Sequence, residues 1–141
     1  SLYTSVIPNL LVNNMVDYIY KSYATKIYIS NVMTQPGETD GYTVLDHVNA
    51  ILKHSRKGII DYVIANIEEV PNSVLERYKE DGAKPVLLTQ KDEKALKKMD
   101  IKVIKDNLID VKKDYIRHEN LKVSKIIFDL ANEKNRKKAY F

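Results

Sequence analysis

The sequence predicts an α/β protein with a doubly wound, mostly parallel sheet covered by helices on both faces. Three observations predict it. Short β-branched runs alternate with amphipathic helical stripes, and crossovers between parallel strands lay such helices against the sheet. Proline and glycine stand where helices should start and stop. A length of 141 residues fits one domain, since domains commonly run to about 100–150 residues.

In chain order, Leu2, Val6, Ile7, Leu10 and Leu11 recur at helical spacing, with Pro8 acceptable in a first turn. A second helix is expected over residues 14–23, and the β-branched run 26–30 reads as a strand. A polar loop, 31–43, follows that strand and opens a helix. Val44, Leu45, Val48, Ile51 and Leu52 form its apolar stripe, Thr43 and Asp46 have the spacing of a capping box, and Gly58 lies past its end. The pattern repeats with a strand over 61–65 and a helix from Pro71 to near Gly82. Residues 85–88 read as a further strand, 91–99 as a short helix, 101–104 as a strand and 108–111 as a last short one. Leu121, Ser124, Ile127, Phe128 and Ala131 align a closing helix, and the basic run 134–138 suits its C-terminal end, where cations complement the helix dipole.

Hydrophobic residues make up 44% of the chain and charged residues 30%, a balance that can offset chain entropy and argues against a disordered protein. The absence of cysteine excludes disulfides and thiolate metal sites, and predicts a reducing, cytoplasmic setting. No apolar run approaches the roughly 20 residues a bilayer requires, so membrane insertion is not expected. The net charge of +4 arises from 23 basic residues interspersed with 19 acidic ones, a weak case for nucleic acid as partner.

Ligands of open α/β sheets bind beyond the carboxyl ends of the strands, and the loop 31–43 occupies that position. It offers Asn31, Thr34, Gln35, Glu38, Thr39 and Asp40, with Gly37 and Gly41 permitting close backbone approach, and it ends at a helix N-terminus suited to an anion. Such a connection exceeds the usual length of about 2–6 residues, and long ordered loops are often functional. The alternative is a surface loop whose turns and caps satisfy only its own backbone. His47, His54 and His118 carry no metal-ligand spacing such as His-x-x-x-His, so no metal site is expected.

Several segments together carry a resemblance. They are the opening Ser1-Leu-Tyr-Thr-Ser-Val-Ile-Pro-Asn-Leu10, the loop Asn31-Val-Met-Thr-Gln-Pro-Gly-Glu-Thr-Asp-Gly-Tyr-Thr43 followed by Asp46-His-Val48, then Asp61-Tyr62, Arg77-Tyr78 with Gly82-Ala-x-Pro-Val86, and Ile116-Arg-His118. In this order they resemble the gluconeogenesis-factor (YvcK-like) branch of the CofD-like superfamily, whose enzymatic cousin is 2-phospho-lactate transferase. The resemblance implies a Rossmann-like fold, a cytoplasmic location, and binding of nucleotide sugars such as UDP-N-acetylglucosamine and UDP-glucose in support of gluconeogenic growth and cell shape. Family members are longer and begin with a glycine-rich phosphate-approaching turn, whereas the four glycines here are scattered. Residues 1–132 therefore read as the C-terminal half of a CofD-like domain, with 133–141 a basic tail.

The resemblance also implies ligand contacts for Tyr78 and Arg117. A guanidinium at the start of the closing helix can grip a diphosphate beside helix amides, and a tyrosine offers a ring and a hydroxyl. The expected ligand set is thus Asn31, Thr34, Gln35, Gly37, Glu38, Thr39, Tyr78 and Arg117, with no catalytic residue assigned. A regulatory binding protein is the leading expectation. The rival is a transferase of a phosphorus-containing group, in which Glu38 or Asp40 would position Mg²⁺ or accept a proton. A third is an interaction module that forms a homo-oligomer.

Overall fold

The computed structural model describes residues 1–112 and 115–139. Its elements alternate largely as the patterning requires. A π-helical turn, Leu2–Val6, runs into α1 (Ile7–Leu10), which holds Pro8 in its first turn, and α2 (Met15–Lys21) follows. Then come β1 (Ile27–Ile29), α3 (Val44–Lys53), β2 (Tyr62–Asn66), α4 (Asn72–Glu80), α5 (Gln90–Lys98) and β3 (Lys102–Asp106). A hairpin of β4 (Ile109–Lys112) and β5 (Tyr115–His118) leads into α6 (Asn120–Ala139). The basic run 134–138 continues α6, while residues 140 and 141 of the expected tail lie outside the described residues.

The three longer-range strands form one parallel sheet in the order β1-β2-β3. Tyr28 stands beside Val63 and Val63 beside Val103, while Ile29, Ile64 and Ile104 make the next row. Because successive side chains of a strand point to opposite faces, these two rows belong to two cores. Tyr28, Val63, Ala65 and Val103 pack with Leu2, Ile7, Val48, Ile51 and Leu96, which places the opening helices, α3 and α5 on one face. Ile27, Ile29, Ile64 and Ile104 pack with Leu108, Val123 and Ile126, which places α6 on the other. Ile64 and Leu108 are fully buried, and each such side chain stabilises the fold by about 1.5–3 kcal/mol. The doubly wound α/β fold is thus realised, with helices on both faces.

The predicted start of the helix after the long loop is supported by capping. Thr43 and Asp46 form a reciprocal capping box at α3, and Thr89 with Asp92 repeats it at α5. Gly82, with φ of +77°, follows the end of α4, a conformation that disfavours any residue with a Cβ.

Two expectations are corrected. Residues 85–88 are not a strand of the sheet, because β2 pairs directly with β3. Their backbone bonds go elsewhere: Val86 donates its N–H to the Val32 carbonyl (2.8 Å), the Leu87 carbonyl accepts from Val44 (3.0 Å), and Pro85 forms an isolated antiparallel bridge with Met33. This apolar segment closes the long loop onto α3. The short run near 108–111 is found as β4, but it pairs antiparallel with β5, an unexpected strand, and the hairpin stands apart from the main sheet. No helix among the described residues is long and apolar enough to cross a membrane.

Candidate ligand-binding cleft

An open cleft of about 260 Å³ lies where the chain leaves β1, walled by Asn31, Val32 and Met33 on one side and Tyr78, Ile116, Arg117 and His118 on the other. This is the end of the sheet at which open α/β folds bind ligands. A larger depression, about 490 Å³, borders Asp100, Ile101 and Lys102 where the chain enters β3, at the opposite end of the strands.

The first wall is an extension of β1. Ser30 continues the ladder by donating its N–H to the Ile64 carbonyl (2.9 Å), so Asn31 emerges in line with the strand. The second wall is held by side chains rather than by a ladder. Leu108 donates its N–H to Asn66 Oδ1 (2.9 Å) and Ile109 donates to Glu68 Oε2 (3.3 Å), fixing the base of the hairpin on the last residue of β2 and the turn after it. From α4, the Tyr78 hydroxyl accepts the N–H of Ile116 (2.9 Å), and the Arg77 guanidinium lies 4.8 Å from the centre of the Tyr115 ring. His118 bonds through Nε2 to the Ser30 carbonyl at 3.0 Å; since a carbonyl only accepts, Nε2 carries the proton. Arg117 lies between these two tethered neighbours, exposed, opposite Asp110 in the hairpin register.

The remaining expected ligand residues serve the loop itself. Thr34, 4% exposed, accepts the Lys84 N–H at its hydroxyl (2.9 Å) and donates its own N–H to the Lys84 carbonyl (2.7 Å). Thr39, 0% exposed, accepts the Gln35 N–H at its hydroxyl (2.8 Å). Gly37, at φ of +78°, donates to Asp40 Oδ2 (2.8 Å). Glu38 reaches the mouth of the cleft through Ser1, whose hydroxyl donates to Glu38 Oε2 (3.0 Å) and which also lines the cleft. The buried Gln35 Oε1 has no hydrogen-bond partner among the described residues. Asn31, Tyr78 and Arg117 are therefore brought together, Glu38 stands at the rim, and Thr34, Gln35, Gly37 and Thr39 build the turn behind it.

At both helix starts expected to receive an anion, the protein's own groups engage backbone amides. At α3 the Asp46 carboxylate accepts the Thr43 N–H (2.9 Å), the Thr43 hydroxyl caps Asp46, and Val44 donates to Leu87. At α6, Glu119 accepts from Lys122 (2.6 Å) and Leu121 (3.3 Å). Protein carboxylates occupy both places where an external anion was expected. This leaves Arg117 as the cationic group lining the cleft.

His47 is fully buried in α3, donates Nδ1–H to the Thr43 carbonyl (2.8 Å), and meets the Tyr42 ring edge-on at 5.5 Å. Burial pulls its pKa below the ordinary histidine value, so the ring is neutral at pH 7. His54 likewise bonds the Ala50 carbonyl. Among the described residues, no group of three or more His, Cys, Asp or Glu side chains is arranged to hold a metal ion.

Sequence reasoning missed Ser1, Val32 and Met33 as lining residues, and the structural role of His118. A signal for β5 was present, since Tyr115 and Arg117 alternate with Ile116 and His118, and their exposure alternates in the same way.

A parallel α/β sheet with a polar cleft at its strand ends, lined by an exposed arginine, has the architecture of the doubly wound class. The family profile described as 2-phospho-L-lactate transferase CofD matches residues 1–109, and the chain belongs to that family. It is 44% identical over 133 residues to the gluconeogenesis factor of Bacillus subtilis, covering 94% of this chain and 41% of that protein. It is 45% identical over 130 residues to a putative gluconeogenesis factor of Thermoanaerobacterium thermosulfurigenes, covering 92% and 39%. The crystal structure of a UPF0052 family member from Bacillus halodurans superposes with a TM-score of 0.85 at 43% identity, over 90% of this chain and 40% of that one. The chain thus spans about two-fifths of the length of the curated relatives it matches.

Proposed function

We propose that the cleft binds a nucleotide sugar, UDP-N-acetylglucosamine or UDP-glucose, and that the protein is a cytoplasmic regulator supporting gluconeogenic growth and cell shape. The observation that carries this reading is the convergence of Asn31, Tyr78 and Arg117, from three separate elements, on one cleft at the end of β1. A guanidinium can give two parallel N–H donors to a diphosphate, and Asn31 brings an amide that both donates and accepts. Glu38 and Ser1 at the rim supply groups for sugar hydroxyls. Calorimetric titration of the full-length protein with UDP-N-acetylglucosamine tests the reading. Saturable heat, with affinity about 100-fold weaker in Arg117→Ala, is expected; silence at millimolar ligand, or an unchanged affinity in the variant, would refute it.

The family match itself favours one rival, a transferase of a phosphorus-containing group. There Glu38 or Asp40 would position Mg²⁺, although Asp40 already accepts the Gly37 N–H. Product formation from a nucleotide donor and a hydroxy acid with Mg²⁺, abolished by Glu38→Gln, would replace the binding-only reading.

A further inference from the structure

The β4–β5 hairpin shares no ladder with the main sheet, so side chains from other elements decide where its residues point. Two of these attachments flank Arg117 directly. Ile116, immediately before it, is tied by its N–H to the Tyr78 hydroxyl of α4 at 2.9 Å. His118, immediately after it, is tied by Nε2 to the carbonyl of Ser30 at the end of β1 at 3.0 Å. Neighbouring side chains of a strand alternate, and with Ile116 and His118 half-buried and Tyr115 and Arg117 exposed, Arg117 faces outward.

We propose that Tyr78 and His118 are positioning residues for Arg117: Tyr78 acts through its hydroxyl on the Ile116 amide, and His118 acts by fastening β5 to the end of β1. The proposal rests on the reading that Arg117 receives a nucleotide sugar. Its physical content is that an exposed arginine has many rotamers, and fixing the backbone on both sides of it lowers the ordering cost of binding. It also assigns the Tyr78 hydroxyl a task beyond ligand contact: the oxygen accepts a backbone donor, while its own O–H remains free to donate.

The test is a titration of the full-length protein with UDP-N-acetylglucosamine, paired with hydrogen exchange at the Ile116 amide. Tyr78→Phe keeps the ring and removes only the hydroxyl. It should weaken binding about 5- to 10-fold, the scale of one lost hydrogen bond, and speed exchange at Ile116. In an Arg117→Ala background the same change should cost no further affinity, because its effect passes through Arg117. His118→Gln, whose side-chain amide can still donate to the Ser30 carbonyl, should retain more affinity than His118→Ala. Wild-type affinity in Tyr78→Phe, or an undiminished loss on top of Arg117→Ala, would overturn the positioning role while leaving the nucleotide-sugar reading intact. Failure of the wild-type protein to bind, or wild-type affinity in Arg117→Ala, would overturn both.

Discussion

The loop 31–43 and the β4–β5 hairpin both border the cleft, yet they use their polar residues in opposite ways. The loop is rich in hydroxyls and carboxylates, and most of them are bonded within the protein: Thr34 to Lys84, Thr39 to Gln35, Asp40 to Gly37, Thr43 to Asp46. The hairpin is short and carries one exposed guanidinium whose neighbours are tied down from outside. Polar density in a sequence therefore measures the hydrogen bonds a segment needs as much as those it can offer. A loop that must turn through several conformations without a ladder absorbs its own donors and acceptors.

This contrast predicts that hairpin substitutions move affinity and loop substitutions move stability. Arg117→Ala should lower nucleotide-sugar affinity about 100-fold, as expected for losing charge-assisted bonds, with an unchanged melting temperature. A fallen melting temperature with intact affinity would invert the assignment. Thr39→Val should do the reverse, leaving the Gln35 N–H without its acceptor at a cost of about 2 kcal/mol in denaturant unfolding, with affinity little altered. Gly37→Ala is a milder form of the same experiment. Nothing lies within 4 Å of the added Cβ, so only the left-handed backbone opposes it, by about 1 kcal/mol. The smallest effect concerns His47. Its folded pKa lies below the unfolded value of about 6.5, so its contribution is complete above that pH and is lost as pH falls toward the folded pKa. Stability should drop by at most about 0.7 kcal/mol between pH 7 and pH 6, and His47→Gln should flatten that part of the profile. An identical slope in the variant would show that other groups titrate there.

The parallel core was readable because its signals are local and redundant. The stripe Val44, Val48, Ile51 and its capping box can be satisfied in few ways, and the β-branched runs of β1 and β2 could hardly sit elsewhere. Residues 85–88 misled because an apolar, β-branched run looks the same whether it pairs in a sheet or, like Val86 and Leu87, closes a loop against α3. Strand β5 was missed although its alternation was present, since a four-residue strand is too short to stand out and its partner's pairing is set by distant contacts from Asn66, Glu68 and Tyr78. The site was legible in part for the same reason. Asn31, Tyr78 and Arg117 meet only through the fold, and the resemblance to known family segments, rather than spacing, nominated the latter two.

Glu119 joins two parts of the molecule through one residue. Its N–H donates to the Leu108 carbonyl at 2.8 Å, and its carboxylate accepts the backbone N–H groups of Lys122 (2.6 Å) and Leu121 (3.3 Å). The strand that carries Arg117 and the helix that covers the second face of the sheet thus share a fastening. Loosening the first turn of α6 would also slacken the strand.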